Sequence, residues 1–263
     1  MIKRIISALI GIPILLGLTW LGGWYFAALM VAIAVLSLNE FLRIGREMGI
    51  KPLNIVIVLL TAGWFILLFT KPYYMIPYFI LEFLIVFSTY TISYPKYSWK
   101  DGAWSLLALI YPVGLLTCLY GIRVILPLGQ IWAFYTFLTV WATDTGAYFI
   151  GSLFGRHRLA PQMSPNKSSE GAIGGVAASL AVGACFWYFL TPGPIWAILT
   201  VSFIASVFAQ LGDLFESSLK RTAGVKDSGS LIPGHGGFLD RFDSFLFAAP
   251  IIFICLFYWM IEL

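Results

Sequence analysis

Residues 53–70 read LNIVIVLLTAGWFILLFT, an uncharged run bounded by Lys51-Pro52 on one side and Lys71-Pro72 on the other. A helix needs roughly 20 such residues to cross about 30 Å of hydrocarbon, so this run is a membrane span in its length and its lack of charge. Working outward, comparable runs lie near residues 5–22, 24–42, 73–94, 104–126, 131–151, 172–190, 195–215 and 244–261. They predict an all-α, polytopic membrane protein with about nine transmembrane helices. The chain is 60% hydrophobic and only 11% charged, which excludes an ordinary soluble core and any nucleic-acid partner. Lys3 and Arg4 precede the first run, but no small-residue cleavage pattern follows it, so it reads as a retained span. Cys118, Cys185 and Cys255 all fall inside apolar runs and are expected to be buried packing residues.

Basic residues give the orientation. With the N-terminus cytoplasmic, the inner loops hold Lys3, Arg4, Arg43, Arg46, Lys51, Lys96, Lys100, Arg156, Arg158, Lys167, Lys220, Arg221, Lys226 and Arg241. Of the 16 Lys and Arg residues only Lys71 and Arg123 remain outside, which places the C-terminus outside as well. The excess also suits the anionic inner leaflet. Two regions differ in character. Residues 1–130 read as a transmembrane scaffold of about five helices. Residues 131–263 hold nearly all the polar chemistry, with longer cytoplasmic loops at 152–171 and 216–243.

The densest polar segment is SLKRTAGVKDSGSLIPGHGGFLDRFD, Ser218 to Asp243. Asp240 and Asp243 are three residues apart at the start of the last span, and that spacing sets both carboxylates on one helical face. Two like charges so close favour a shared cation, and magnesium suits oxygen ligands. Favourable placement at a helix N-terminus is the plainer alternative. Asp213 lies in GDLFESSLKR, where helical spacing aligns it with Glu216 or Ser217 and with Lys220. Asp144, in DTGAYFIG, and Glu82 are intramembrane acids, which default to function, although Glu82 has no motif around it. Tyr148 follows Asp144 by one turn and is expected on the same face. The turn PGHGGF offers backbone amides for phosphate oxygens, and His235 within it suits either phosphate donation or a structural turn. SPNKSSEG, from Ser164, contributes hydroxyls and Lys167, while His157 is expected to be solvated. No GxxxxGK[ST], HExxH or GxSxG pattern occurs, so P-loop, zinc-protease and serine-hydrolase readings have no footing. What remains suits phosphoryl or nucleotidyl transfer by positioning and charge neutralisation.

The Ser218–Asp243 segment, with S-L-K-R, K-D and P-G-H-G-G-F-L-D-R-F-D in order, resembles the signature of the phosphatidate cytidylyltransferases, or CDP-diacylglycerol synthases. DTGAYFIG, SPNKSSEG and GDLFESSLKR resemble the same family, so the likeness covers roughly the C-terminal half. Asn166 stands where such proteins often carry a second lysine, and Ser228 where an apolar residue is frequent. The resemblance implies that phosphatidic acid attacks the α-phosphorus of CTP at the cytoplasmic face of a prokaryotic plasma membrane, giving CDP-diacylglycerol and pyrophosphate with magnesium required.

In that reading Asp213, Asp240, Lys220 and Arg221 are catalytic, and Asp144, Asp213, Asp240 and Asp243 hold Mg2+, with room for a second cation. Ser164, Lys167, Ser218, Lys226, His235, Gly236, Gly237 and Arg241 bind substrate. A homodimer is expected through apolar helices. Other readings of the same residues are a CTP-dependent lipid kinase and a cation-coupled transporter.

Overall fold

The structure is a computed structural model that describes residues 2–190, 194–232, 234 and 236–261. Among the described residues ten α-helices follow one another: α1 (Ile2–Leu21), α2 (Gly23–Glu47), α3 (Asn54–Thr70), α4 (Met75–Ile92), α5 (Trp99–Ala108), α6 (Leu115–Val124), α7 (Gly129–Phe154), α8 (Ser169–Leu190), α9 (Ile195–Thr222) and α10 (Leu239–Ile261). Between α5 and α6 the chain keeps coiling as a π-helix, Leu109–Gly114, around Pro112. Proline has no N–H to give the i−4 carbonyl, and the wider turn absorbs the lost bond without ending the rod. Six helical segments among the described residues are long and apolar enough to cross a membrane: Gly23–Glu47, Pro72–Ile92, Trp99–Val124, Ser169–Leu190, Ile195–Thr222 and Leu239–Trp259. Ser7–Leu21 and Asn54–Thr70 are shorter apolar helices.

The all-α expectation needs one amendment. The 152–171 loop is largely ordered: α7 continues to Phe154, and an antiparallel hairpin of β1 (Arg158–Ala160) and β2 (Ser164–Ser168) delivers the chain into α8. The 216–243 loop also shrinks, because α9 runs to Thr222 before the chain turns. Gly224, at φ 70°, closes that helix as the amide of Val225 returns to the Lys220 carbonyl at 2.9 Å. Only a residue tolerant of the left-handed region fits there. At 28 residues α9 is about 42 Å long, more than the hydrocarbon thickness, and its last three turns carry Asp213 to Arg221.

Three close contacts fix the C-terminal helices. A Cβ placed on Gly146 of α7 would lie 2.7 Å from both Ala178 Cβ and the Gly174 carbonyl of α8, so these helices touch backbone to backbone. Hydroxyl bonds tie α7 to α9: Tyr135 to Ser202 at 2.7 Å, and Thr143 to Ser206 at 3.0 Å. Small residues and interhelical hydroxyls are how helices associate where lipid supplies no hydrophobic drive. At the α9–α10 crossing a Cβ on Gly212 would meet the Asp243 carbonyl at 2.5 Å, which brings Asp213 and Asp243 into one neighbourhood.

The N-terminal helices are held to one another by buried rings, Phe41 stacked on Trp104 at 4.4 Å, and meet this group through Tyr111, which packs edge-on to Phe215 of α9 and Phe247 of α10. Arg123 caps the end of α1 by donating from Nε to the Thr19 carbonyl at 3.0 Å. Of the cysteines, Cys118 and Cys255 are half-buried, whereas Cys185 is exposed, contrary to its expected packing role.

Candidate active site

The start of α10 governs the arrangement. A helix leaves its first amides without partners, and here each of four in succession meets a side-chain oxygen. Gly237 N donates to Asp240 Oδ2 at 2.8 Å, Phe238 N to Glu40 Oε1 at 3.1 Å, Leu239 N to Glu40 Oε2 at 2.8 Å, and Asp240 N to Ser228 Oγ at 3.3 Å. Ser228 closes the set, its hydroxyl donating to Glu40 Oε2 at 2.9 Å and its amide to Asp240 Oδ2 at 3.0 Å. The signature loop is therefore pinned against α2 and α10 by two carboxylates.

Lys220 occupies the other side of Asp240, donating from Nζ to Oδ1 at 2.6 Å while also pairing with Glu216 Oε2. Lys220 thus lies between Asp240 and Glu216, on the Asp240 oxygen that Gly237 leaves free. Helical spacing does align Asp213, Ser217 and Lys220 on α9, and Ser217 Oγ donates to Asp213 Oδ1 at 3.3 Å.

A second acidic group lies beside the first. Asp243 is buried and close enough to Asp213, Glu216 and Asp144 for their charges to act on it. Ser244 joins two of them: its amide donates to Asp243 Oδ1 at 2.7 Å, and its hydroxyl to Asp144 Oδ1 at 3.4 Å. Lys167, from β2, pairs with Asp213 Oδ2 at 2.6 Å. Among the described residues no three His, Cys, Asp or Glu side chains converge tightly enough to hold a metal ion as they stand. The donor set itself suits a hard divalent cation, because Asp144, Asp213 and Asp243 all offer oxygen ligands and Lys167 already holds a positive charge against one of them.

Arg221 donates from Nε to the Met163 carbonyl at 3.1 Å, tying α9 to the β-hairpin. Lys226 is exposed, and Ser218 Oγ is turned inward to the Phe215 carbonyl of its own helix at 2.7 Å. Ser164 opens β2, two residues before Asn166, in register with Ala160. Gly236, at φ 81°, and Gly234 help line a cavity of about 510 Å³ with Asp227, Gly229, Ser230, Ile232 and Arg241. His235 lies outside the described residues. Tyr148 is 71% exposed. His157 is exposed too, and its Nδ1 meets Glu170 Oε1 at 2.5 Å, which staples the hairpin to the start of α8.

Sequence reasoning passed over two residues. Glu40 is 3% exposed and accepts three hydrogen bonds from the signature loop; the signal was an acid inside an apolar run, already noticed at Glu82. Tyr111, carried on the π-helix, is fully buried with its hydroxyl unpartnered. It packs edge-on to Phe215 and lies near enough to Asp243, Glu216 and Asp213 to feel their charge. Glu82 is buried in α4 with neither carboxylate oxygen bonded to any described residue.

Residues 2–259 match the model of the cytidylyltransferase family. A phosphatidate cytidylyltransferase of Staphylococcus haemolyticus is 40% identical over 262 residues, covering 97% of each chain. Another, from Staphylococcus aureus strain COL, is 38% identical over 263 residues, covering 96% of this chain and 98% of its own. One from Staphylococcus epidermidis is 38% identical over 266 residues, again covering 97% of each.

Proposed function

The chain belongs to the cytidylyltransferase family, and from that premise we propose that it is a phosphatidate cytidylyltransferase that makes CDP-diacylglycerol and pyrophosphate from CTP and phosphatidic acid. The observation that carries this reading is an acid cluster, Asp144, Asp213 and Asp243, set beside Lys167, which pairs with Asp213, and Lys220, which pairs with Asp240, in a protein of long apolar helices. A lipid phosphate and a nucleotide triphosphate are both anionic, and they meet only where the membrane edge supplies cations.

In the reaction a phosphatidate oxygen attacks the α-phosphorus of CTP, a phosphate–oxygen bond forms, and the bond to the β-phosphate oxygen breaks to release pyrophosphate. Because the attacking monoester is already ionised at neutral pH, positioning and charge stabilisation carry the rate, with little need of a general base. Asp144, Asp213 and Asp243 would hold Mg2+, with Asp240 beside them and room for a second cation. Bound magnesium supplies neutralisation of the triphosphate and of the departing pyrophosphate. Lys167 then exchanges its partner Asp213 for a substrate phosphate. Arg241 and Gly236 would orient the triphosphate in the cavity they line, with Gly237 next in the chain, and Lys226 and Ser164 would add substrate contacts. Lys220 keeps Asp240 in place and presents charge towards the reacting phosphates.

The remaining readings extend this one. Nine spans, a cytoplasmic N-terminus and an outer C-terminus accord with the basic-residue asymmetry. They put the site on the cytoplasmic face of the bacterial plasma membrane, where CTP is available. A homodimer through lipid-facing helices accords with α4, whose surface is almost wholly apolar and exposed.

The test is transfer of α-labelled CTP into phosphatidic acid by purified protein in detergent, with and without magnesium. Magnesium-dependent label in lipid, with equimolar pyrophosphate, is the expected result. Label entering lipid only from the γ-position would replace this reading with a lipid kinase.

A further inference from the structure

We propose that Glu40 is a positioning residue for the nucleotidyl transfer, setting the signature loop and the first turn of α10 through contacts that none of the reacting groups shares. The inference rests on the CTP:phosphatidate reading of the site. Glu40 belongs to α2, in the half of the chain otherwise given over to scaffold, and its nearest loop partner is 188 residues away in sequence.

Three observations support it. First, both carboxylate oxygens are used, and all three donors come from the loop or from α10: Ser228 Oγ, Phe238 N and Leu239 N. Second, two of those donors are amides at a helix N-terminus, where the backbone dipole favours an anion, so the charge is met by groups that belong to the loop itself. An acid serving only to fill space has no reason to carry that charge into a site 3% exposed. Third, the loop is shaped to admit it: a Cβ on Gly229 or on Gly237 would collide with the Glu40 carboxylate. Glycine at those positions lets the backbone close onto Glu40 from both sides.

Glu40 reaches the site through one intermediary. Ser228 donates its hydroxyl to Glu40 and its amide to Asp240, while accepting from the Asp240 amide. Asp240 in turn holds Lys220. A shift of Glu40 therefore moves Ser228, Asp240 and Lys220 together, and it tilts the amides of Phe238 and Leu239, which lie in sequence between Gly236 and Arg241 of the cavity wall. Misplacement of about 1 Å in such a constellation costs up to about 10²-fold in rate.

The experiment compares wild type, Glu40→Gln, Glu40→Asp and Ser228→Ala as monodisperse protein in detergent, with kinetics per folded molecule. Gln keeps the shape of Glu but turns one acceptor into a donor facing donors. Expected are a fall in kcat/KM for CTP of about 10²-fold, little change in KM for phosphatidate, and faster protease cleavage within residues 223–238. Asp keeps the charge but draws back by one methylene, and should restore part of the rate. Ser228→Ala should cost about tenfold, and the Glu40→Gln/Ser228→Ala pair should fall no lower than Glu40→Gln alone, because both act through one chain of contacts.

Glu40→Gln protein with kcat and KM for CTP within about twofold of wild type would overturn the inference, even if it melts earlier. If Glu40→Gln does not fold, Ser228→Ala decides: an unchanged KM for CTP and unchanged loop cleavage overturn it. Wild type that transfers no α-label refutes the cytidylyltransferase reading itself, and the inference with it.

Discussion

Replacing Lys220 with methionine removes a charge while keeping most of the volume, and the burial of its partners sets the size of the effect. The Lys220 side chain is 11% exposed, and its partners Glu216 and Asp240 are 0% and 6% exposed. Without the ammonium, two carboxylates face each other in a site where Glu216 Oε1 already lacks a donor. Breaking a buried ion pair by deleting one partner costs about 3–5 kcal/mol. For chains beyond 150 residues each kcal/mol moves the melting point by about 2–4 °C, so the variant should melt roughly 6–20 °C lower. Thermal unfolding in detergent, followed by cysteine-reactive fluorescence at Cys118 and Cys255 in a Cys185→Ser background, measures this. Adding Glu216→Gln removes the stranded charge and should recover about half of the loss, while α-label transfer stays down by about 10²-fold because Asp240 has still lost its bridge. A single variant that melts within about 2 °C of wild type would show that the bridge is solvated and the reasoning wrong.

Other expectations rest on the same contacts. Asp213→Asn and Asp144→Asn should each cut α-label transfer by about 10²-fold; Asp144→Asn should leave the melting point unchanged or raised, since it relieves repulsion, whereas Asp213→Asn also gives up its pair with Lys167 and should cost up to about 1 kcal/mol. A drop in both quantities for Asp144→Asn would point to misfolding instead. Tyr111→Phe deletes a buried hydroxyl without a partner, so stability should hold or rise by about 1 kcal/mol while activity falls; unchanged turnover would mean the hydroxyl plays no part near the acids. Gly146→Ala inserts a methyl where α7 and α8 touch, and should cost about 1–3 kcal/mol in a melt, with activity falling as Asp144 is displaced.

Much of the fold was legible from residues alone, in proportion to how local the information is. An apolar run such as 53–70 carries its own reason to cross a membrane, and the α9 acids and bases fall into line because helical spacing depends only on near neighbours. Glu40 was not legible as part of the site, since its role comes from a partner 188 residues away and only the packing of α2 against α10 makes that pair. Asp240 was legible as a site residue, but its bond to Lys220 was not, because α9 brings that lysine in through tertiary packing. Tyr111 was hidden because its direction depends on the π-turn at Pro112, and the short hairpin because SPNKS, with its proline and lysine, lacks the alternating apolar pattern that marks a strand.

The long reach of Glu40 also has a consequence for how the protein is made. Its carboxylate enters the bilayer with α2, whereas Ser228 and the amides of α10 are synthesised 188 residues later. At about 5–20 residues per second the ribosome needs roughly 10–40 s to deliver them. Through that interval the nascent chain carries an acid in an apolar helix without its final partners. Completion of the last helix is thus the event that closes the signature loop onto Glu40.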